Sequence, residues 1–547
     1  VSEPLRWATQ RWRVPGLILA VAFPLFLVGL GARYIWIPLE ARYALVAREM
    51  MEGGHWILPH LGGQLYPDKP PLLFWSVALL SSLTSAVSEW TARLPSALAA
   101  VGVCLVTWRI GAQLFSSTAG LLAALSLATS AGFFWSGRQA LPDMLLTLWT
   151  TSAYWALWRW IMAKQPIAAP LAGVCLGLAT LSKGPVGLLL PTLTIAVYLV
   201  VQPNRPRLRG RELGLCLGTY ATTTLAWYLP ALWQGGLSYA EATLLHHSLE
   251  RYVKAWEHTA PWYFYLGAFP AEFLPWTLFL PQALVLGIVL RGRVELSGWW
   301  FAVCWLATIL LFFSVSSGKR DIYILPAFPA AALLVGWMWS WWSEQDSRHV
   351  GWWAWGLPSF MLSLGLWAMA AAVWAAASGL LPTKSALLLP TASEARLWVG
   401  ILLAVAGGLL LSATIARRVL FVYAALLGCT WCALILTVSW IYTPQFNQRY
   451  PIKAFAAAVQ AHVPPHQPLR LCGPLNDLAI RFNMGRDIPG LTEDAEISRY
   501  LDREQRVFCV LTQTTYRRLN TARLQSFPIL ARQEIDRSVW LLIANQP

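Results

Sequence analysis

Two adjoining stretches set the reading of the whole chain: Pro15–Gly31, PGLILAVAFPLFLVGLG, and Pro38–Pro71, PLEARYALVAREMMEGGHWILPHLGGQLYPDKPP. The first has the length and apolarity of a helix that crosses the ~30 Å hydrocarbon core of a bilayer, which takes roughly 17 to 25 such residues. The second puts Glu40, Arg42, Arg48, Glu49, Glu52, His55, His60, Asp68 and Lys69 into one loop, in a protein where charged residues make up only 12%. So much charge in one loop marks it for a purpose other than solubility. Outward from this pair, apolar runs like the first recur as far as Ile441.

With 547 residues, 57% of them hydrophobic, and a mean hydropathy of +0.51, the chain is far more apolar than a soluble protein of its size. The composition predicts a polytopic α-helical membrane protein, and no alternating strand pattern competes. Trp158, Trp160, Trp262, Tyr263, Trp299 and Trp300 sit near the ends of apolar runs, where amphipathic rings favour the headgroup level. A net charge of +15 would suggest nucleic acid in a soluble protein, but here the basic residues fall in short loops and set orientation. No nucleic-acid partner is expected. Arg6, Arg11 and Arg13 precede the first run, which places the N-terminus in the cytoplasm and the charged loop outside. That run has no small-residue cleavage site after it and reads as a retained helix. The later basic loops, around Arg109, Arg159, Arg207, Arg291 and Arg417, share one side only if Leu72–Val87 lies along the outer surface instead of crossing. About thirteen spans follow from that scheme. The predicted transmembrane domain is 1–442, with an outer loop at 33–70 and an interfacial segment at 71–88.

After Tyr442 the pattern changes to alternating helices and strands, predicting a small extracytoplasmic α/β domain over 443–547. The expected strands include Leu469–Gly473 and Val507–Leu511, and the expected helices include Ile452–Val463 and Leu475–Asn483. Neither Gly473 nor Gly485 belongs to a phosphate-binding loop. Six of the eight cysteines lie in apolar runs. Cys472 and Cys509 lie in the tail and would pair in an oxidising compartment, but each falls in its own buried strand, which weighs against pairing.

Several polar groups stand out against the apolar background. EARYALVAREMM, from Glu40, is built of good helix formers, and Arg48 and Glu52 are four apart, so a surface helix held by charge pairs is one reading and ligand capture the other. Asp68 and Lys69 precede Pro70 and Pro71, which favours an extended backbone presenting an acid and a base. Asp143 follows Arg138 and Pro142 at the start of an apolar run, either as a helix-terminal acid or as a carboxylate at the mouth of a cavity. Lys183 in LSKGPVG and Lys319 in SSGKRDIYILP either snorkel or hold a lipid phosphate, to which Tyr323 adds a hydroxyl. His246, His247, Glu257 and His258 occupy a later outer loop. One of these histidines with Asp68 is a candidate pair for a divalent metal, Zn or Mg/Mn. The sequence has no H-E-x-x-H and no P-loop.

Taken in order, PLEARYALVAREM, GGHWILPHLGGQLYPDKPPLLFW, RLPSAL, GRQALPDMLLT, LSKGPVGLLLP, HHSLERY, EHTAPWYFYL and SSGKRDIYILPAFPA resemble the landmarks of the bacterial aminoarabinose transferase and protein-mannosyltransferase-like glycosyltransferases of the GT-C superfamily. The resemblance implies an enzyme of the inner membrane, with its site facing the periplasm, that moves a sugar from a polyprenyl-phosphate donor to a lipid, glycan or protein acceptor. Glu40 and Asp143 are then the candidate catalytic acids, and Arg42, Arg48, Lys69, Arg138, Lys183, Lys319 and Tyr323 the candidate substrate ligands. Lys183, His258, Lys319 and Tyr323 fall where the family handles metal or the lipid phosphate, and Asp68-Lys69 matches its Glu-Lys before the prolines. One departure is plain: the family's first loop carries an Asp-Glu pair, and Leu39 stands in place of the Asp. A transporter of lipid-linked sugar and a catalytically silent homologue are the alternative readings. Ionisable groups gathered at one face, rather than deep in both halves of the membrane, favour the enzyme over the transporter.

Overall fold

The structure is a computed structural model that describes residues 3–35, 38–202, 209–241, 259–292, 294–344, 352–378, 393–415, 419–436, 442–475, 477–519 and 527–546. The chain forms two compact units. The first comprises Val1–Val28, Pro67–Leu73 and Arg93–Ile441, and the second Gly29–Tyr66, Phe74–Ala92 and Tyr442–Pro547.

The helical part begins with α1 (Glu3–Leu27), α2 (Pro38–Gly53), α3 (Leu72–Ser82), α4 (Glu89–Leu114), α5 (Ser117–Ala128), α6 (Ala131–Gly137), α7 (Pro142–Ile161), α8 (Ala168–Lys183) and α9 (Val186–Val201). Apolar runs become helices because a helix bonds its own backbone, and no water is available in lipid to do so. Among the described residues, four helices are long and apolar enough to cross a membrane, or six if each of two sharply bent pairs counts as one span. Several shorter apolar helices, α3, α8 and α9 among them, accompany these. With 11 residues, α3 extends about 16 Å at 1.5 Å per residue, well short of a bilayer core.

The two bent pairs explain each other. α5 and α6 meet at 69°, while Phe264–Glu272 and Trp276–Val289 meet at 107°. At the first break, Thr129 Oγ1 donates to Leu125 O at 2.7 Å and accepts from Trp276 Nε1 of the second pair at 3.0 Å. Ser130 Oγ donates to Leu127 O, and Ala131 N donates to Leu274 O at the second break. Backbone groups freed by two bends are thus satisfied inside the protein, the condition for irregular chain at membrane depth. Close helix packing supports the arrangement: a Cβ on Gly336 would come within 2.5 Å of Ala119 O on α5.

In the second unit, two residues pair on each side of a tight turn, β1 (His60–Leu61) with β2 (Gln64–Leu65). The tail carries a five-stranded sheet of β3 (Leu469–Cys472), β4 (Gly490–Leu491), β5 (Phe508–Thr512), β6 (Ile529–Ile535) and β7 (Ser538–Ala544), in the order β4-β3-β5-β7-β6. β3 runs parallel to β4 and β5, whereas β7 runs antiparallel to both its neighbours. Helices cover both faces. Ile452, Phe455 and Val459 join Phe508, Val510 and Leu542 on one, and Ile497, Tyr500 and Leu501 join Cys509, Leu511 and Ile543 on the other. Burial on both faces explains why the central strands read as unbroken apolar runs.

Two sequence expectations need correction. Cys472 and Cys509 form a disulfide, with their Cα atoms 6.2 Å apart. Each lies in a buried strand, as predicted, but parallel pairing in register Arg470↔Cys509 makes the two strands neighbours and brings both sulfurs to one face. Asp68 is in a turn with Pro67, and Lys69 is in a bend, so this segment is not extended. The preceding Pro67 fixes a φ suited to turn position i+1, and this outweighs the preference that Pro70 imposes.

Candidate active site

In the first unit, α7 opens on Pro142, whose missing N–H costs nothing at a helix start, and Asp143 sits in the first turn, where the helix dipole favours a negative charge. α8 ends on Lys183, because Gly184 at φ 90° reverses the chain and Pro185 follows. These two helix ends converge. Lys183 Nζ donates to Asp143 Oδ1 in an ion pair whose side chains are 15% and 8% exposed. The same ammonium lies 4.3 Å from the ring centroid of Tyr323, on the 3₁₀ turn Asp321–Ala327. A cation over an aromatic face and beside a carboxylate is held on two sides.

Other predicted residues of this unit are engaged differently. Arg138 donates from Nη1 to Leu25 O at 2.6 Å and from Nη2 to Val28 O at 2.7 Å, closing the carbonyl end of α1. Lys319 is buried, and its ammonium donates to Ser316 O and, at 3.0 Å, to Ala260 O. Asp68 and Lys69 are half-buried and engaged by neighbouring groups. His258 lies outside the described residues, as do His246, His247 and Glu257. Among the described residues no three His, Cys, Asp or Glu side chains are placed to hold a metal ion.

In the second unit, Glu40 is fully buried in the first turn of α2 and accepts from Arg33 Nη2 at 2.8 Å. The Arg33 guanidinium also lies over the ring of Phe446. Arg42 is half-buried, and its Nε finds no hydrogen-bond partner among the described residues. Arg48 donates from Nη1 to Arg481 O and Phe482 O, both at 3.3 Å, and sits 4.0 Å from Glu52 on the same helix. Glu49 accepts from Gly62 N at 2.7 Å and Gly63 N at 3.1 Å in the β1–β2 turn.

The family described as dolichyl-phosphate-mannose-protein mannosyltransferase matches residues 68–232. An undecaprenyl phosphate-alpha-4-amino-4-deoxy-L-arabinose arabinosyl transferase 1 of Pseudomonas fluorescens is 31% identical over 360 residues, covering 63% of this chain and 60% of the relative. The protein of the same name from Sodalis glossinidius is 34% identical over 333 residues, 58% of this chain and 57% of its own. The crystal structure of ArnT from Cupriavidus metallidurans in the apo state superposes with a TM-score of 0.77 at 21% identity, covering 98% of both chains. Its complex with undecaprenyl phosphate gives 0.76 at 20% identity over 97% of both. The chain shares the fold of these two structures. By sequence, the aligned part of the chain spans about 60% of the length of the first curated relatives.

Leu39 is half-buried and directly precedes the buried Glu40. Sequence reasoning passed over another acid, Glu272. It ends the helix before the second break, half-buried, and presses against Gly132 so closely that any Cβ there would collide with its carboxylate. Asp321, at the start of the turn that carries Tyr323, acts on Glu272 electrostatically. A lone acid between Pro270 and Pro275 in an apolar run was the available signal.

Proposed function

We propose that this protein is an integral-membrane glycosyltransferase that transfers a sugar from a polyprenyl-phosphate donor to a lipid, glycan or protein acceptor. The observation that carries the reading is the Asp143–Lys183–Tyr323 cluster, a paired acid and base at converging helix ends. The reaction needs a group to take the acceptor's proton and a cation to stabilise the departing phosphate. Asp143 is the base and Lys183 the cation. The acceptor oxygen then bonds to the sugar carbon with inversion, its proton passes to Asp143, and the sugar–phosphate C–O bond breaks to release polyprenyl phosphate. Glu40 holds Arg33 instead of serving as the base.

The site is assigned to the periplasmic face of the bacterial inner membrane. Arg6, Arg11 and Arg13 before the first span support that orientation, and the Cys472–Cys509 disulfide suits an oxidising compartment for the tail. Leu39 favours a second reading, a homologue that binds polyprenyl phosphate without turning over. Transfer of labelled sugar from crude polyprenyl-phosphate-sugar extracts to membranes separates the two readings. Native protein should transfer label, Asp143→Asn should lose about 10²-fold or more, and Glu40→Gln should lose less. If no donor yields transfer and Leu39→Asp creates activity, the silent reading replaces this one.

A further inference from the structure

Within the first unit, we propose that Lys319 is a positioning residue which, with Tyr265, fixes the turn that lays Tyr323 against Lys183. This rests on the glycosyltransferase reading given above. In SSGKRDIYILP the lysine has the chemistry of a phosphate ligand, but the structure commits its ammonium to the backbone. The chain leaves the helix Ser297–Val315 at Ser316, where ψ turns to 142°, and Lys319 Nζ donates to Ser316 O. Carbonyls at a helix end lack partners within the helix and carry the negative end of its dipole, so a cation is well placed to close them. The same Nζ donates at 3.0 Å to Ala260 O, 59 residues earlier in the chain. Lys319 is buried, so its charge relies on these carbonyls in place of water.

The contact with Ala260 is one of three that tie consecutive residues to the same segment. Gly318 forms an antiparallel backbone bridge with Thr259, Lys319 reaches Ala260, and Arg320 O accepts from the hydroxyl of the buried Tyr265 at 3.1 Å. The carbonyl of Arg320 also accepts from Tyr323 N at 3.1 Å, at the start of the 3₁₀ turn Asp321–Ala327. Asp321, Ile322 and Tyr323, rising about 2 Å each, then carry the ring from the fixed Arg320 to its place 4.3 Å from Lys183 Nζ. So short a connection passes any shift of Arg320 on to Tyr323. Of the three ties, the bridge is backbone only and needs no side chain. The bonds from Lys319 are charge-assisted, about twice as strong as the neutral one from Tyr265, so Lys319 holds the larger share. A displacement near 1 Å of a group that places the reacting cation costs on the order of a hundredfold in rate.

The test compares full-length native protein with Lys319→Met, Lys319→Arg, Tyr265→Phe, Tyr323→Leu and the double variant Lys319→Met/Tyr323→Leu. Three readouts are taken: sugar-transfer kinetics, binding of undecaprenyl phosphate alone, and amide hydrogen exchange over residues 318–327. Lys319→Met should lower kcat/KM about ten- to a hundredfold and speed exchange at Tyr323. Lys319→Arg, which still offers a cation to both carbonyls, should recover at least about a third of the native value. Tyr265→Phe, which removes one neutral bond, should lower kcat/KM about two- to tenfold and speed the same exchange. Because Lys319 acts through Tyr323, the double variant should transfer sugar and bind undecaprenyl phosphate within about twofold of Tyr323→Leu alone. Losses that multiply in the double variant would make Lys319 an independent ligand and overturn the proposal, and so would native rates in Lys319→Met or in Tyr323→Leu. If Lys319→Met does not fold, Tyr265→Phe decides, since native exchange over the turn in that variant also overturns the idea. Should native protein transfer no sugar, the function reading fails, and exchange over 318–327 in Lys319→Met still decides whether Lys319 fixes the turn.

Discussion

Two buried ion pairs use the same chemistry to different ends. Lys183 and Asp143 meet at the mouths of two helices and remain slightly open, whereas Arg33 and Glu40 are closed off, Glu40 completely. Removing one partner of a closed pair is a loss of about 3–5 kcal/mol. Arg33→Met should therefore lower the thermal unfolding temperature of the purified protein well below that of Lys183→Met, whose carboxylate partner can still reach solvent. Equal shifts would mean that Glu40 finds an adequate substitute partner nearby. Asp143, Lys183 and Tyr323 were each legible in the sequence as polar exceptions in apolar surroundings. Their meeting was not, because 40 residues separate acid from base and only the packing of α7 on α8 closes that gap. The engagement of Arg48 was hidden for the same reason, its partners being backbone carbonyls 433 and 434 residues away.

At the scale of elements, local rules decided most of what was foreseen. The amphipathic run from Glu40, the turn at Gly184 and the tail strands follow periodicity and turn chemistry, and they fall close to their expected places. Bends are another matter. Neither α5–α6 nor the pair around Pro275 announces its partner, since each break is satisfied by the other and not by its own sequence. Thr129 is the shared group. Thr129→Val keeps the shape but removes the hydroxyl, leaving Trp276 Nε1 without its acceptor in a buried site, at a cost of about 1–3 kcal/mol. Thermal unfolding should register that loss, and Thr129→Ser should restore most of it. If Val and Ser behave alike, the hydroxyl is not what joins the two bends.

For the whole molecule, the composition alone established a many-helix membrane protein with an α/β tail, and the structure has both. What composition could not reveal is strand adjacency, which is why the cysteines were underrated. The disulfide closes a loop across 37 residues between the two central parallel strands. Replacing Cys472 or Cys509 by Ser should cost the tail about 2–5 kcal/mol. Hydrogen exchange over β3 and β5 would show this as faster opening, and unchanged exchange would mean that the sheet is held by packing alone. First-loop chain and tail fold as one unit. A weakened tail should therefore also loosen α2, and the same exchange experiment reads that coupling over residues 38–53.

The reciprocal satisfaction of the two bends also sets an order of events during synthesis. Trp276 follows Thr129 by 147 residues. At 5–20 residues per second, a ribosome takes roughly 7–30 seconds to cover that distance. Throughout that interval the first bend has been made but its partner has not, so its polar atoms must be sheltered by water or by the insertion machinery. The earliest moment at which this protein can seal itself against lipid is therefore fixed by the arrival of its second bend.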